Sequence, residues 1–198
     1  MKRFCLTTII ITVAAVALAH LARAQLFGPK MKKPNELIAR QPPLKVNKKL
    51  IAQATPENTR IAVSIPKQRA YLMIGEQVVA DAPVSSGKRG HETPHGRFNV
   101  MEKDPNHFSS LYGDFVDSSG RVVRAGVSAT IDSAPSGTHF AGAPMKWFLR
   151  LTSEGVGMHI GILPGYPASH GCIRESPDGA KLFYDYAKVG TPVDVGDF

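Results

Sequence analysis

The sequence predicts a mostly β protein with one main helix near its C-terminus. From residue 60 onwards, short stretches rich in Val, Ile, Tyr and Phe alternate with clusters of Gly, Pro and Ser. One later segment has the residue spacing of an amphipathic helix. With 198 residues, 43% of them hydrophobic, the chain is long enough to bury a sizeable core. This composition excludes a wholly disordered chain, a coiled coil and a collagen-like fibre.

The first 24 residues have the features of an export signal. Met1-Lys2-Arg3 is positively charged, residues 6–18 are almost uninterruptedly apolar, and Ala22-Arg23-Ala24 resembles a signal-peptidase cleavage site. We therefore expect residues 1–24 to be a signal peptide and the mature protein to be periplasmic or elsewhere in the cell envelope. Since the apolar run is shorter than the ~20 residues of a spanning helix, membrane contact is expected only through a transient or uncleaved signal.

Residues 25–59 are predicted to form a basic, Pro-rich linker to a folded domain at residues 60–198. Five prolines interrupt the linker, and residues 25–60 carry eight Lys or Arg against two Glu. Residues 61–198 carry 13 bases and 14 acids, without a basic helix or zinc-finger spacing. The net charge of +8 therefore does not predict a nucleic-acid partner.

Strands are expected in order along the folded domain. The alternation of Ile61, Val63 and Ile65 predicts a first strand, and residues 71–79, with a turn at Gly75-Glu76, predict a hairpin. Further strands are expected at Arg97–Met101, Val122–Val127, Trp147–Leu151, Val156–Ile160 and Pro192–Val195.

The main helix is expected after Ser176. Ser176 suits the N-cap, Pro177 suits the first helical position, and the apolar residues from Leu182 to Ala187 fall on one face. In contrast, the segment Asp114–Pro144 is rich in Ser, Gly and Ala and is predicted to contain one strand at most. Because it is long for a connection, we expect it to form a lid or a wall of the substrate site.

Cys172 is the candidate nucleophile. Signal cleavage would remove Cys5 and leave Cys172 as the only thiol of an exported protein. Attack by a cysteine on a carbonyl needs a base, a group that orients the base, and N–H donors for the oxyanion. Gly171 allows a turn in which successive N–H groups point to one spot. His159 can serve as the base if the Gly- and Pro-rich loop after it folds back, although taken alone it also fits a structural histidine.

A zinc site is an alternative use of the same residues. His159, His170 and Cys172 are suitable ligands, and His91, His95 or His139 would add a fourth. Their spacing lacks the paired ligands of known zinc motifs, so no metal and no cofactor is expected. His91, His95 and His107 lie in stretches predicted to be polar loops and are expected to be solvated.

Residues 61–198 resemble the L,D-transpeptidase catalytic domain family of the YkuD type. The resemblance rests on His159 followed by Ser169-His170-Gly171-Cys172-Ile173-Arg174, and on four upstream stretches: Ile65–Tyr71, Pro83–Gly87, Thr93–Phe98 and Leu111–Gly113. The spacer between His159 and Ser169 is compact, as in one subgroup of the family. The resemblance implies a β-sandwich with a helix after the catalytic cysteine and a position facing the cell wall.

The resemblance also implies the chemistry. Cys172 would attack the carbonyl of the third residue of a peptidoglycan tetrapeptide stem and release the terminal D-Ala. His159 corresponds to the general base, oriented by the backbone carbonyl of Ile160. The N–H groups of His170, Gly171 and Cys172 would surround the oxyanion.

Three further residues are assigned to substrate binding. Arg174 would help to position the substrate carboxylate, and Ser169 and Tyr112 are expected at the peptide site. Glu175 follows Arg174, and its charge is expected to raise the pKa of the Cys172 thiol unless Arg174 offsets it.

The acceptor of the acyl group is left open by the sequence. The implied partners are peptidoglycan stem peptides, whose amine would give a 3–3 cross-link, or a wall-anchored lipoprotein or a free D-amino acid. Water as acceptor would make the protein an L,D-carboxypeptidase or amidase. A catalytically silent wall-binding domain is the alternative from another class.

Overall fold

The described part of the chain is built mainly from strands. The structure, a computed structural model, describes residues 41–198, so the predicted signal peptide and residues 25–40 of the predicted linker lie outside the described residues. The strands are β1 (Lys45–Val46), β2 (Thr59–Ser64), β3 (Arg69–Ile74), β4 (Gln77–Ser85), β5 (Gly96–Asn99), β6 (Glu102–Asp117), β7 (Val122–Ser128), β8 (Thr138–Arg150), β9 (Gly157–Ile160), β10 (Ile173–Glu175) and β11 (Pro192–Gly196). The helices are α1 (Lys48–Ile51) and α2 (Pro177–Tyr186). The prediction of a mostly β fold with one main helix after Cys172 is confirmed.

The strands follow one hydrogen-bonded order, β5-β11-β2-β3-β4-β10-β9-β8-β6-β7, with β1 paired to β4. The pairs β11–β2 and β10–β9 are parallel, and the other pairs are antiparallel. One core receives fully buried side chains from both halves of this order, including Ile61 and Val193 from one half and Leu149 and Met158 from the other. The sheet therefore curls until its two halves face each other, as in a sandwich.

Helix α2 begins where the sequence predicts. The Ser176 hydroxyl accepts a hydrogen bond from the Gly179 N–H (3.2 Å), and Pro177 occupies the first turn, where a missing N–H costs nothing. Phe183 and Ala187 are fully buried in the core. The helix packs against β8 and β9, which carry one wall of the cavity described below.

The predicted strands all occur, but the segment Asp114–Pro144 differs from the prediction. It contains the end of β6, all of β7 and the start of β8, so the prediction of at most one strand is wrong. Strand β6 pairs with β7 on one side and with β8 on the other. Backbone hydrogen bonds to these two strands therefore stabilise β6, although its sequence lacks a regular alternation of apolar residues. Strand β10 was also not predicted.

Part of the predicted linker packs on the sheet. Strand β1 pairs with β4, and the Gln41 amide donates hydrogen bonds to the carbonyls of Gln68 (3.0 Å) and Val84 (3.1 Å). Leu50 and Ile51 of α1 pack against the core. The packed unit therefore begins before residue 60, the boundary expected from the sequence. No helix within residues 41–198 combines the length and apolar character needed to cross a membrane.

Candidate active site

A cavity of about 670 Å³ contains the predicted site residues. It lies between the β6–β8 pair and the segments that flank β9 and precede β10. Every predicted site residue except Gly171 lines it: Cys172, His159, His170, Arg174, Ser169 and Tyr112. Of the segment Asp114–Pro144, expected to supply a lid or wall, only Ala143 and Pro144 line the cavity.

The parallel pairing of β9 and β10 brings the candidate base to the candidate nucleophile. Ile173 is the register partner of Met158, and Arg174 is the partner of His159. Because alternate residues of a strand point to the same face, Cys172 and Arg174 share the face of His159. Fully buried Ile173 belongs to the opposite, core face. The loop between His159 and Cys172 thus folds back as expected.

The His159 ring is held in one tautomer. Its Nδ1 lies 2.7 Å from the carbonyl oxygen of Ile160, the contact that the resemblance implies. A carbonyl oxygen only accepts hydrogen bonds, so Nδ1 carries the proton and Nε2 carries the free electron pair. Burial lowers the pKa of His159 to about 4, against the opposing effect of the Ile160 hydrogen bond. The imidazole is therefore a neutral base near pH 7.

The Cys172 thiol is also uncharged at rest. Its Sγ donates to the carbonyl oxygen of Gly155 at 3.7 Å. Burial raises the pKa of Cys172, while the backbone N–H of Gly157 and the charge of Arg174 lower it. The thiol and the imidazole accordingly form a neutral pair, in which the sulfur needs a base to become nucleophilic.

Glu175 does not act on the thiol as expected from the sequence. Burial, Gly157, Arg174 and Arg150 are what shift the pKa of Cys172, and Glu175 is not among them. Glu175 follows Arg174 on β10, so its side chain lies on the opposite face of the strand, where it is fully buried. Burial raises the pKa of Glu175 to about 8, so its carboxyl group is mostly protonated at pH 7. Neither carboxyl oxygen has a hydrogen-bond partner among the described residues.

The turn before Cys172 is held by side-chain hydrogen bonds. The Ser169 hydroxyl donates to the Cys172 carbonyl and accepts from the Gly171 N–H (3.1 Å). Gly171 has φ +118°, a conformation that favours glycine. Thr93 accepts from the Gly87 N–H (2.8 Å) and donates to the Gly171 carbonyl (2.7 Å), which ties this turn to the loop after β4.

This arrangement changes the expected set of oxyanion donors. The Gly171 N–H, expected in that set, is already bonded to Ser169. The N–H groups of His170 and Cys172 have no partner among residues 41–198. Of the three expected N–H donors, those of His170 and Cys172 therefore remain free to bind a ligand.

His170 lies at the mouth of the cavity in a cluster of rings. It stacks on Tyr112, with ring centroids 4.6 Å apart, and meets His91 edge-on at 4.9 Å. The Lys88 ammonium lies 3.1 Å from His170 Nε2. Partial burial and then the charge of Lys88 lower the pKa of His170, so this ring is an uncharged acceptor for Lys88. The contact of Lys88 with His170 was not expected, and His91 was considered there only as a ligand of the alternative zinc site.

The charges inside the cavity are separated. Arg174 has no ion-pair partner among the described residues, and its aliphatic stem packs against Gly161, where a Cβ would overlap it. Arg150 is paired with Glu102 outside the lining. Glu154 is the one carboxylate that lines the cavity in the described part of the chain. A free guanidinium and a carboxylate thus face the same space.

His107, in contact with Asp104, lines the cavity and was not expected there from the sequence. Instead of lying in a solvated loop, His107 is on β6, lines the cavity, and has a side chain only 20% exposed. Its Nδ1 lies 3.2 Å from Asp104 Oδ2, and its ring stacks on Phe148 with centroids 4.2 Å apart. The spacing of three between Asp104 and His107 was the only signal, and it is too common to be specific.

The positions of the His, Cys, Asp and Glu side chains do not favour the alternative zinc site. Among residues 41–198, no three His, Cys, Asp or Glu side chains are grouped so that they could hold a metal ion. A second cavity, of about 620 Å³, is lined by β2, β3 and β11 residues and contains none of the predicted site residues. The candidate chemistry therefore rests on the thiol and its imidazole.

The described residues thus place a thiol and an imidazole in the lining of one cavity, within a mostly β fold. Residues 58–195 match the family model for the L,D-transpeptidase catalytic domain, YkuD. The chain belongs to this family. Its mostly β architecture, expected from the resemblance, is accordingly the YkuD fold.

Individual relatives agree with this assignment. L,D-transpeptidase 1 of Mycobacterium tuberculosis is 30% identical over 124 residues, which cover 60% of this chain and 43% of that protein. An L,D-transpeptidase structure from Mycobacterium smegmatis matches with a TM-score of 0.52 and 26% identity, over 70% of this chain and 58% of the other. An L,D-transpeptidase solved in complex with imipenem matches with a TM-score of 0.52 and 25% identity, over the same shares. The chain thus spans less than half the length of the curated relative.

Proposed function

We propose that the protein is a peptidoglycan L,D-transpeptidase in which Cys172 is acylated by a stem tetrapeptide and passes the acyl group to an amine. The observation that carries the proposal is the pairing of a neutral thiol with an imidazole whose Nδ1 is tied to Ile160 at 2.7 Å, in one cavity. Family membership supports the same reaction class.

In the proposed acylation, His159 acts as a general base. Its Nε2 takes the proton of the Cys172 thiol as the sulfur bonds to the carbonyl carbon of the third stem residue. The bond to the terminal D-Ala nitrogen then breaks, and the same proton passes from His159 to that nitrogen. A thioester and a free D-Ala result, with His159 neutral again.

The oxyanion of the tetrahedral intermediate is proposed to lie against the N–H groups of His170 and Cys172. Preorganised N–H donors stabilise this charge strongly in a site shielded from water. The role of Gly171 is then to set the turn, and the role of Ser169 is to hold it through two hydrogen bonds.

Arg174 is proposed to bind a substrate carboxylate. Its guanidinium lines the cavity, is partly desolvated, and lacks an ion-pair partner among the described residues, so a carboxylate would gain a charge-assisted hydrogen bond there. Tyr112, stacked on His170, is proposed to form part of the peptide-binding wall.

We propose that the acceptor is an amine rather than water. Glu154 lines the cavity, and hydrogen bonds from its own backbone N–H and from Ser153 lower its pKa, so it is an anion near pH 7. A carboxylate at that position attracts an ammonium group and exerts no such charge attraction on a neutral water molecule. We propose a neighbouring stem peptide as the acceptor, with a lipoprotein lysine or a free D-amino acid as substitutes.

We further propose that the protein works in the cell envelope after export. The support is the signal-like sequence of residues 1–24 and the location of peptidoglycan outside the cytoplasmic membrane. Peptidoglycan stem peptides are the proposed partners, and the basic residues between 25 and 60 would favour contact with an acidic wall polymer.

Acylation by a carbapenem tests the nucleophile. Incubation of the purified protein with imipenem is expected to add one drug mass, located on Cys172 by peptide mapping. A related protein has been solved in complex with imipenem. Intact-mass spectrometry measures the outcome.

Cys172→Ala is the matched control and is expected to gain no mass. His159→Gln is expected to slow acylation by roughly 10²- to 10⁴-fold, the usual contribution of a general base. An unmodified wild-type protein, or an adduct that persists in Cys172→Ala, would contradict the proposed role of the thiol.

A further inference from the structure

We propose that His107, oriented by Asp104, is a second base of the active site that takes a proton from the amine acceptor during transfer. This inference rests on the proposed function and deepens it. It concerns the transfer half of the reaction, whereas His159 alone serves the acylation half.

Asp104 holds the His107 ring in a defined tautomer. One carboxylate oxygen, Oδ1, accepts from the Asn106 N–H at 2.9 Å, and the other, Oδ2, lies 3.2 Å from His107 Nδ1. Since an ionised carboxylate only accepts, the His107 proton sits on Nδ1, and Nε2 keeps its free electron pair. Nε2 has no hydrogen-bond partner among residues 41–198, so it is available to a ligand.

His107 is set in the same cavity as the thiol by packing on Phe148. The His107 and Phe148 rings stack with centroids 4.2 Å apart and planes 11° apart, while the Phe148 and His159 centroids are 6.4 Å apart. Phe148 is fully buried and so provides a rigid support. The two imidazoles therefore flank one aromatic ring, and each has Nδ1 tied to an acceptor and Nε2 free.

The proton count of the transfer step explains the use of two bases. An alkyl amine with a pKa near that of lysine, about 10.4, is an ammonium ion at pH 7 and has no electron pair for attack. It must lose one proton before it attacks the thioester and a second when the amide forms. A single imidazole holds one proton at a time, so a second base beside His159 lets both protons be taken within one step of transfer.

The proposed transfer converts the amine and the thioester into an amide and a free thiol. The ammonium gives one proton to His107 Nε2, and the Asp104 carboxylate stabilises the resulting imidazolium. The amine nitrogen bonds to the acyl carbon, the carbon–sulfur bond breaks, and its electron pair stays on Cys172. The second nitrogen proton passes through His159 Nε2 to the sulfur, which restores the thiol. His107 then releases its proton to solvent.

The test separates amines by their charge at pH 7. The purified protein is acylated with disaccharide tetrapeptide, and loss of the acyl-enzyme is followed by quenched intact mass after addition of either Nα-acetyl-lysine amide, which is cationic, or hydroxylamine, which is neutral. In His107→Gln, transfer to the lysine amine is expected to be about 100-fold slower than in the wild type, with transfer to hydroxylamine within about threefold.

Companion variants separate proton transfer from packing. His107→Phe keeps an aromatic ring on Phe148 and is expected to lose transfer to the lysine amine as strongly as His107→Gln. Asp104→Asn, which removes the carboxylate of a positioning residue, is expected to show the same preference for hydroxylamine with a loss of about tenfold. His139→Gln, at an exposed position of β8 outside the cavity, is the matched control and is expected to transfer to both amines at the wild-type rate.

Different results would overturn the role of His107 and the proposed function. Wild-type transfer to the lysine amine by His107→Gln, or an equal loss with both amines, would overturn the role of His107 as a base. Absence of any wild-type acyl-enzyme with the tetrapeptide would instead overturn the proposed function, and the role of His107 with it.

Discussion

At the scale of single residues, burial keeps the candidate nucleophile and the candidate base uncharged. Burial lowers the pKa of His159 to about 4 and raises the pKa of Cys172. An ion pair of thiolate and imidazolium, as used by some cysteine enzymes, is therefore disfavoured before substrate binds. In the proposed mechanism, the thiol loses its proton only as it attacks, so acylation requires the free electron pair of His159.

The pH dependence of acylation follows from this requirement. Because the base is active when deprotonated, the rate of imipenem acylation is expected to stay level from pH 7 down to about pH 5 and to fall to half near the pKa of about 4. The measurement is the second-order acylation rate by mass spectrometry, at pH values where the melting temperature shows the protein folded. A half-loss near 6.5, the ordinary histidine value, would contradict the buried neutral pair.

Glu175 is expected to destabilise the fold progressively as pH rises. Its folded-state pKa of about 8 lies above the ordinary 4.5, so the folded state holds a proton that the unfolded state has released. This contribution is fully present below pH 4.5 and is lost as pH rises through 8. Glu175→Met removes the titrating group and fills a similar volume, and is expected to be more stable than wild type by about 3 kcal/mol at pH 7.

Urea unfolding at pH 5 and at pH 8 measures this effect. The stability difference between Glu175→Met and wild type is expected to widen towards pH 8. Glu76→Gln, whose side chain is 93% exposed, is the control and should give a difference that hardly changes with pH. A pH-independent difference for Glu175→Met would mean that Glu175 is ionised in the folded protein.

At the scale of elements, the cavity wall is a bulge in the β6–β8 pair. Phe108 pairs with Pro144 and Gly113 with Gly142, so residues 109–112 of β6 face a single residue of β8. These four residues all line the cavity. Glycines mark the point where the two strands come closest, because a Cβ at Gly113 or Gly142 would overlap the backbone of the other strand.

Gly142→Ala is expected to disturb this wall. Its added methyl group would overlap the Ser109 carbonyl, and the forced backbone shift is expected to cost about 2 kcal/mol and to misplace Tyr112 against His170. A lowered melting temperature and slower imipenem acylation are the readouts. Gly196→Ala, next to the movable Phe198 ring and away from the cavity, is the control and should acylate normally. Normal acylation by Gly142→Ala would show that the bulge does not shape the site.

The same elements explain which parts of the structure were predictable. The helix and the hairpin have local signals, since capping residues, a turn glycine and apolar spacing all lie within the element. Strand β6 has none, because it contains Pro105 and mostly polar residues and depends on partners up to dozens of positions away. His107 was missed for that reason: its place beside Phe148 depends on the register of β6 with β8.

At the scale of the whole molecule, the site lies where distant parts of the sheet meet. Strand β10 follows Cys172 and is held between β4 on one side and β9 on the other. Strand β4 also pairs with β3 and β1, so the candidate nucleophile is anchored to both halves of the fold. The sequence motif pointed to Cys172 and His159 as candidates, and the parallel pairing of β9 and β10 brings their strands together. The contacts of Lys88 and Asp104 depend on this assembly and leave little trace in the local sequence.

Transfer of stem-peptide acyl groups from Cys172 to an amine is tested by mass spectrometry of muropeptides. Disaccharide tetrapeptide is incubated with wild-type protein and with Cys172→Ala. We expect cross-linked tetra–tri dimers and released D-Ala with the wild type, and unchanged tetrapeptide with the variant. Tripeptide without dimers would make the protein a hydrolase, and unchanged tetrapeptide with the wild type would contradict catalysis by this site.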